Sequence, residues 1–97
     1  NNLLCKLKTW QLNDISKNPL YKSNYIKALK SIKARTIIMS CNQDLYFRTE
    51  DNIYEKQFID KASLKCIDSP YGHCSASPGN DKNFQKKLDK HLKELLI

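Results

Sequence analysis

Glycine is scarce in this chain, with only Gly72 and Gly79 among 97 residues. That excludes a Gly-x-Ser-x-Gly nucleophile elbow within these residues. No apolar run approaches the roughly 18–20 residues that a membrane-spanning helix needs. The opening Asn1–Lys6 lacks the charged-then-apolar order of a signal peptide. Met39 is the one methionine, so the chain is expected to be a piece of something longer. Cys5, Cys41, Cys66 and Cys74 form no C-x-x-C pair, and a zinc set drawn from Cys66, His73, Cys74 and His91 follows no recognised spacing. Cys41 and Cys66 stand in apolar runs, where a free thiol acts as a small hydrophobe. Reduced thiols in a cytoplasmic protein are the simplest reading.

What is present is an ordinary globular composition, 40% hydrophobic and 28% charged, able to bury a modest core. The net charge of +7 invites nucleic acid, but its distribution argues otherwise. Basic residues crowd residues 1–35, where Asp14 is the one acid. The balance reverses between Thr36 and Asp81 and turns basic again in the last segment. Arg35 and Arg48 are the only arginines among 17 basic residues. Arginine is the residue preferred for reading phosphates and bases, whereas lysine is a hydrated point charge. Nucleic acid and membrane are therefore not expected partners, and composition says nothing of oligomeric state.

The periodicity changes along the chain. Leu3, Leu4, Leu7 and Trp10 recur at helical spacing, and the Asp14–Tyr21 stretch, with its Asn18-Pro19, breaks that helix. Ser23 is expected to cap a second helix with Ile26, Leu29 and Ile32 on one face and Lys27, Lys30 and Lys33 on the other. Thr36–Cys41 is a short β-branched run, as expected of a covered strand. Thr49 opens a helix running to about Phe58, with Glu50 and Asp51 where the macrodipole favours acid. Ser63–Asp68 reads as a second strand, and residues 69–79 as a loop. Asn80 or Asp81 then caps a long helix with Phe84, Leu88, Leu92, Leu95 and Leu96 on one stripe. Strand, helix, strand, helix is a parallel α/β unit with a right-handed crossover. Two strands do not complete such a sheet.

In parallel sheets, reacting groups gather beyond the C-terminal strand ends. Asp44 follows the first strand and His73 lies in the loop after the second. An aspartate that accepts a hydrogen bond from one imidazole nitrogen fixes the tautomer and leaves the other nitrogen free to act as a base. The order Asp then His is that of the closing half of a Ser-Asp-His triad on an α/β sheet. His91, on the last helix, needs no more than a surface or helix-dipole role.

Trp10 with Asp14-Ile15-Ser16, Ala28-Leu29-x-x-Ile32-Lys33-Ala34, Asp44-Leu45-Tyr46-Phe47 and Ser69-Pro70-Tyr71-Gly72-His73 resemble the C-terminal third of the homoserine O-acetyltransferase-like branch of the α/β-hydrolases. The resemblance implies an α/β fold in which residues 1–97 are the C-terminal part of a single α/β-hydrolase domain, two parallel strands with flanking helices, incomplete as a domain. It implies a serine acyl-enzyme that moves an acyl group from a small-molecule donor to a small-molecule acceptor. Asp44 would be the triad acid and His73 the triad base. No resident cofactor is implied, and acyl-CoA is a possible co-substrate. Cys74 stands where homoserine-acetylating members commonly place an aspartate for the substrate amine, and a neutral thiol forms no such ion pair. Cys74 is thus the candidate substrate-binding position, and its identity argues for an acceptor other than homoserine. Arg48 replaces a common proline after the Tyr-Phe pair.

Without the serine or the oxyanion loop, these residues alone are expected to be inactive. The rival expectation, from a different class, is a small basic binding module for nucleic acid or an acidic partner.

Overall fold

The computed structural model describes residues 1–97, in the order α1 (Asn2–Leu12), α2 (Tyr25–Lys30), β1 (Thr36–Cys41), α3 (Thr49–Lys56), β2 (Ala62–Ile67), a 3₁₀ helix (Gly72–Ala76) and α4 (Lys82–Leu96). β1 and β2 pair in parallel, with Thr36 opposite Ala62 and Cys41 opposite Ile67. The Asn42 N–H donates to the Ile67 carbonyl at 2.9 Å and extends the ladder by one bond. Both strands therefore end at the same level, and the two following loops rise side by side.

Local chemistry sets the element ends. Asp81 caps α4, its carboxylate accepting from the Asn83 and Phe84 N–H groups at 2.9 and 3.0 Å. At the other end of α4 the Arg35 guanidinium, just before β1, donates to the Glu94 and Leu95 carbonyls, which have no partner within the helix. The core is small: Cys41, Ile67 and Phe84, with Met39 and Leu88 packed against it. Burying Phe84 contributes about 1.5–3 kcal/mol. α1 buries none of its residues.

Several expected details differ. Ser23 does not cap α2, because it sits at φ +62°; Asn24 does so, accepting from the Lys27 N–H at 2.9 Å. Its buried residues are Ala28 and Leu29, while Ile26 is exposed. Arg48 precedes α3 without a side-chain cap, and the Thr49 hydroxyl reaches back to Asn42 Oδ1 at 3.3 Å. α3 ends at Lys56 rather than Phe58; Ile53 and Tyr54 are exposed, and the buried residue there is Ile59. The inner stripe of α4 is Phe84, Leu88, His91 and Leu95, with Leu92 and Leu96 facing outward. Cys66 is exposed, unlike buried Cys41, and receives a weak hydrogen bond from the Ser40 hydroxyl at 3.5 Å. No helix is long and apolar enough to cross a membrane.

Candidate active site

Asp44 is fixed by its own turn. Its N–H donates to the Cys41 carbonyl at 3.0 Å, and Oδ1 accepts from the N–H groups of Tyr46 and Phe47 at 2.7 and 3.0 Å. This is an aspartate-nucleated turn, which aims the remaining oxygen outward from the loop. Oδ2 lies 3.0 Å from Nδ1 of His73. His73 occupies the first turn of the 3₁₀ helix, directly after Gly72 at φ +52°. Gly72 runs so close to the neighbouring loop that a Cβ there would stand 2.9 Å from the Gln43 carbonyl oxygen. Only glycine satisfies both the backbone angle and the approach.

A polar network holds the two loops together beneath that contact. Asn42 and Gln43 side-chain amides donate to Asp68 Oδ1 at 2.9 and 3.2 Å, and Gln43 Oε1 accepts from the Ser69 N–H at 2.8 Å. The hydroxyl of buried Ser69 donates to Asp81 Oδ2 at 2.5 Å, so Asp81 both caps α4 and anchors the loop that carries His73. Hydrogen bonding from Ser69 is the main reason the Asp81 carboxyl is held below its ordinary 3.8. Asp68 is likewise lowered, first by Asn42 and then by Gln43.

The Asp44 side chain is 10% exposed and that of His73 is 46% exposed. Burial works to raise the Asp44 carboxyl, but the hydrogen bonds from Phe47, His73 and Tyr46 outweigh it, and the group lies below its ordinary 3.8. It is therefore an anion at neutral pH. A carboxylate facing Nδ1 favours the tautomer with the proton on that nitrogen, which leaves Nε2 as an acceptor. A small cleft of about 190 Å³ holds both residues, with Ser75, Ala76 and Phe47 among its walls. The rings of Tyr46 and Phe47 flank the imidazole, centroids 4.9 and 5.2 Å away. Trp10 of α1 meets both of them at 6.0 and 6.2 Å.

Cys74 is exposed and lies outside the walls of that cleft. His91 is elsewhere, its Nδ1 2.9 Å from Glu94 Oε2 and its side chain 14% exposed. No group of three or more His, Cys, Asp or Glu side chains converges as a metal-binding set. Sequence reasoning overlooked Gln43, Asp68 and Ser69. The signal for them was polar residues at both strand ends, next to a glycine that the loop approach requires.

No protein-family profile matches the chain. Over 96 residues it is 34% identical to the ethyl acetate hydrolase of Pseudomonas veronii, covering 99% of the chain and 27% of that protein. It is 30% identical over 95 residues to a probable esterase of Corynebacterium glutamicum, covering 98% of the chain and 26% of the relative. A probable acyltransferase of Methanothermobacter thermautotrophicus is 52% identical over 46 residues, 46% of the chain and 14% of that protein. The crystal structure of an acetylester hydrolase from Corynebacterium glutamicum superposes with a TM-score of 0.86 at 30% identity, over 98% of the chain and 26% of the other. The chain carries the C-terminal portion of an α/β-hydrolase fold. The chain spans about a quarter of the length of the curated relatives it matches over nearly all of its residues.

Proposed function

We propose that the segment supplies the acid and base of a Ser-His-Asp triad, in a cytoplasmic enzyme of the homoserine O-acetyltransferase-like branch that moves short acyl groups. Water is the preferred acceptor, which makes the reaction ester hydrolysis. The observation that carries this reading is the 3.0 Å contact between Asp44 Oδ2 and His73 Nδ1 at adjoining strand ends. In the proposed cycle, Nε2 of His73 takes the serine hydroxyl proton as the serine oxygen bonds to the ester carbonyl carbon. It then passes that proton to the departing alkoxide as the ester C–O bond breaks. For the second half, His73 deprotonates water attacking the acyl-serine and returns the proton to the serine oxygen. Asp44 holds the tautomer and stabilises the imidazolium throughout. A cysteine rather than an aspartate at position 74 and the names of two relatives, an ethyl acetate hydrolase and a probable esterase, support water over an amine-bearing acceptor such as homoserine.

The serine must come from outside these 97 residues, which hold no Gly-x-Ser-x-Gly; alone they have no covalent route. The test is hydrolysis of ethyl acetate by the intact protein that carries the segment. His73→Ala and Asp44→Asn should each lower kcat by about 10⁴-fold while ester binding changes little. Variants that keep turnover within a few-fold of wild type overturn the assignment.

A further inference from the structure

Beside the acid–base pair lies a second, larger cleft of about 620 Å³ between α1 and Tyr46. Leu3, Leu7 and Trp10, at positions i, i+4 and i+7 of α1, face into it together with Tyr46. Trp10 is 59% exposed, yet its ring packs edge-on against Tyr46, the residue that flanks His73. Tyr46 thus stands between this cleft and His73: its ring lines the cleft and flanks the imidazole.

Resting on the function proposed above, we infer that this cleft is the subsite for the alkyl part of the ester's alcohol, with Trp10 and Tyr46 as its specificity-determining walls. His73 must deliver a proton to the leaving alkoxide oxygen, so that oxygen lies within hydrogen-bond reach of the imidazole. The alkyl chain it carries then extends from the His73 side, over the rings that flank it. The acyl chain sits on the carbonyl carbon, beyond the serine, and has no reason to enter this cleft. Trp10 touches the alcohol rather than the reacting atoms, so its effect belongs in substrate selection and not in the chemical step.

The experiment measures kcat/KM of the intact protein for two ester series. One varies the alcohol with acetate constant, from methyl to hexyl acetate; the other varies the acyl group with ethanol constant. Burial of each added methylene in an apolar cleft is worth about a four-fold gain, so kcat/KM should climb along the alcohol series. Trp10→Ala should flatten that climb and leave the slope along the acyl series as in wild type, whereas Trp10→Phe should keep most of the climb. A purely structural tryptophan would lower every ester of both series by the same factor and change neither slope. Trp10 is also the one tryptophan in the segment, and with any others in the intact protein replaced by Phe, its emission should shift on adding 1-butanol, in His73→Ala as in wild type. An alcohol series that is flat in wild type, an effect confined to the acyl series, or emission blue-shifted and unresponsive because protein already covers Trp10, each overturns the inference. If no ester is hydrolysed at all, the proposed function fails, while the fluorescence titration still decides whether the cleft takes alcohols.

Discussion

Gly72→Ala tests how the site is built. The added methyl would stand 2.9 Å from the Gln43 carbonyl oxygen, against the 3.4 Å at which ordinary contact begins, so one loop must retreat by about half an ångström. The obstacle is backbone, which cannot swing aside as a long side chain would. Retreat of that size stretches the 3.0 Å Asp44–His73 contact to about 3.5 Å, past hydrogen-bond range. A non-glycine residue at φ +52° adds strain of about 1–2 kcal/mol. Expected together are a loss of about 1–3 kcal/mol in urea unfolding and about a 10²-fold fall in kcat for ethyl acetate. Gly79→Ala is the control. Its φ is +85° but nothing lies within 4 Å of the added methyl, so it should show the strain without the loss of turnover. If Gly72→Ala matches Gly79→Ala in kcat, the loop contact does not position His73, and the reasoning fails.

Three further outcomes are expected. Asp81 is an acid whose folded pKa is depressed, chiefly by the Ser69 hydroxyl; its stabilising effect is full above its unfolded value near 3.9 and is lost as pH falls through the lower folded one. The stability difference between wild type and Asp81→Asn should therefore be constant above about pH 5 and shrink below about pH 4, and a difference that grows on acidification contradicts the network. Tyr25 carries the opposite sign: burial first, and then its bond to Glu55, push its hydroxyl from 10.0 to about 12, so the wild type minus Tyr25→Phe difference should hold below about pH 10 and be lost as pH rises from there through about 12. Finally, Cys74→Asp should raise use of homoserine relative to water as acyl acceptor, by about ten-fold or more, if a charge-assisted contact of roughly 1.5–3 kcal/mol forms. Because Cys74 lies outside the cleft wall, no change in acceptor ratio would show that the amine is not read from this position.

What the sequence displays most clearly is whatever depends on one segment at a time. Thr36–Cys41 is a strand in both readings because its β-branched run has no competing helical period. A cap at Asn80 or Asp81 is legible from their place before the amphipathic stripe, and Asp81 is the one that fills it. Misread features depend on what lies opposite. Cys66 stands in an apolar run but faces outward, since alternation in β2 places Ile67 on the covered side. His91 reads as a surface residue until Phe84, Leu88 and Leu95 are seen to share its face of α4. Asn24 displaced Ser23 as the cap of α2 through a one-residue difference in where the chain leaves φ +62°. Asp44 and His73 could be paired from strand-end logic alone, because parallel register with Cys41 opposite Ile67 brings the two following loops level. Gln43 and Ser69 could not, because their 2.8 Å bond depends on that register being already in place.

The position of the Asp44–His73 pair owes little to the hydrophobic core. Cys41, Ile67 and Phe84 make a core of three buried residues, enough to hold α4 on the strand pair but not to orient two side chains to within a few tenths of an ångström. Orientation comes from short polar links instead: Tyr46 and Phe47 N–H on one oxygen of Asp44, His73 on the other, and Gln43, Ser69 and Asp81 tying the second loop to the first. Each link spans a strand end or a helix start, the places where backbone and side-chain polar groups lack regular partners. Groups that would otherwise need water thus satisfy one another, and in doing so they fix the geometry. α1, by contrast, buries nothing of its own and meets this site through Trp10. The segment therefore divides by physical origin into a pair positioned from within and an apolar wall shaped by one helix. On the function proposed above, changes in the polar links should act on turnover, and changes along α1 on which ester is chosen.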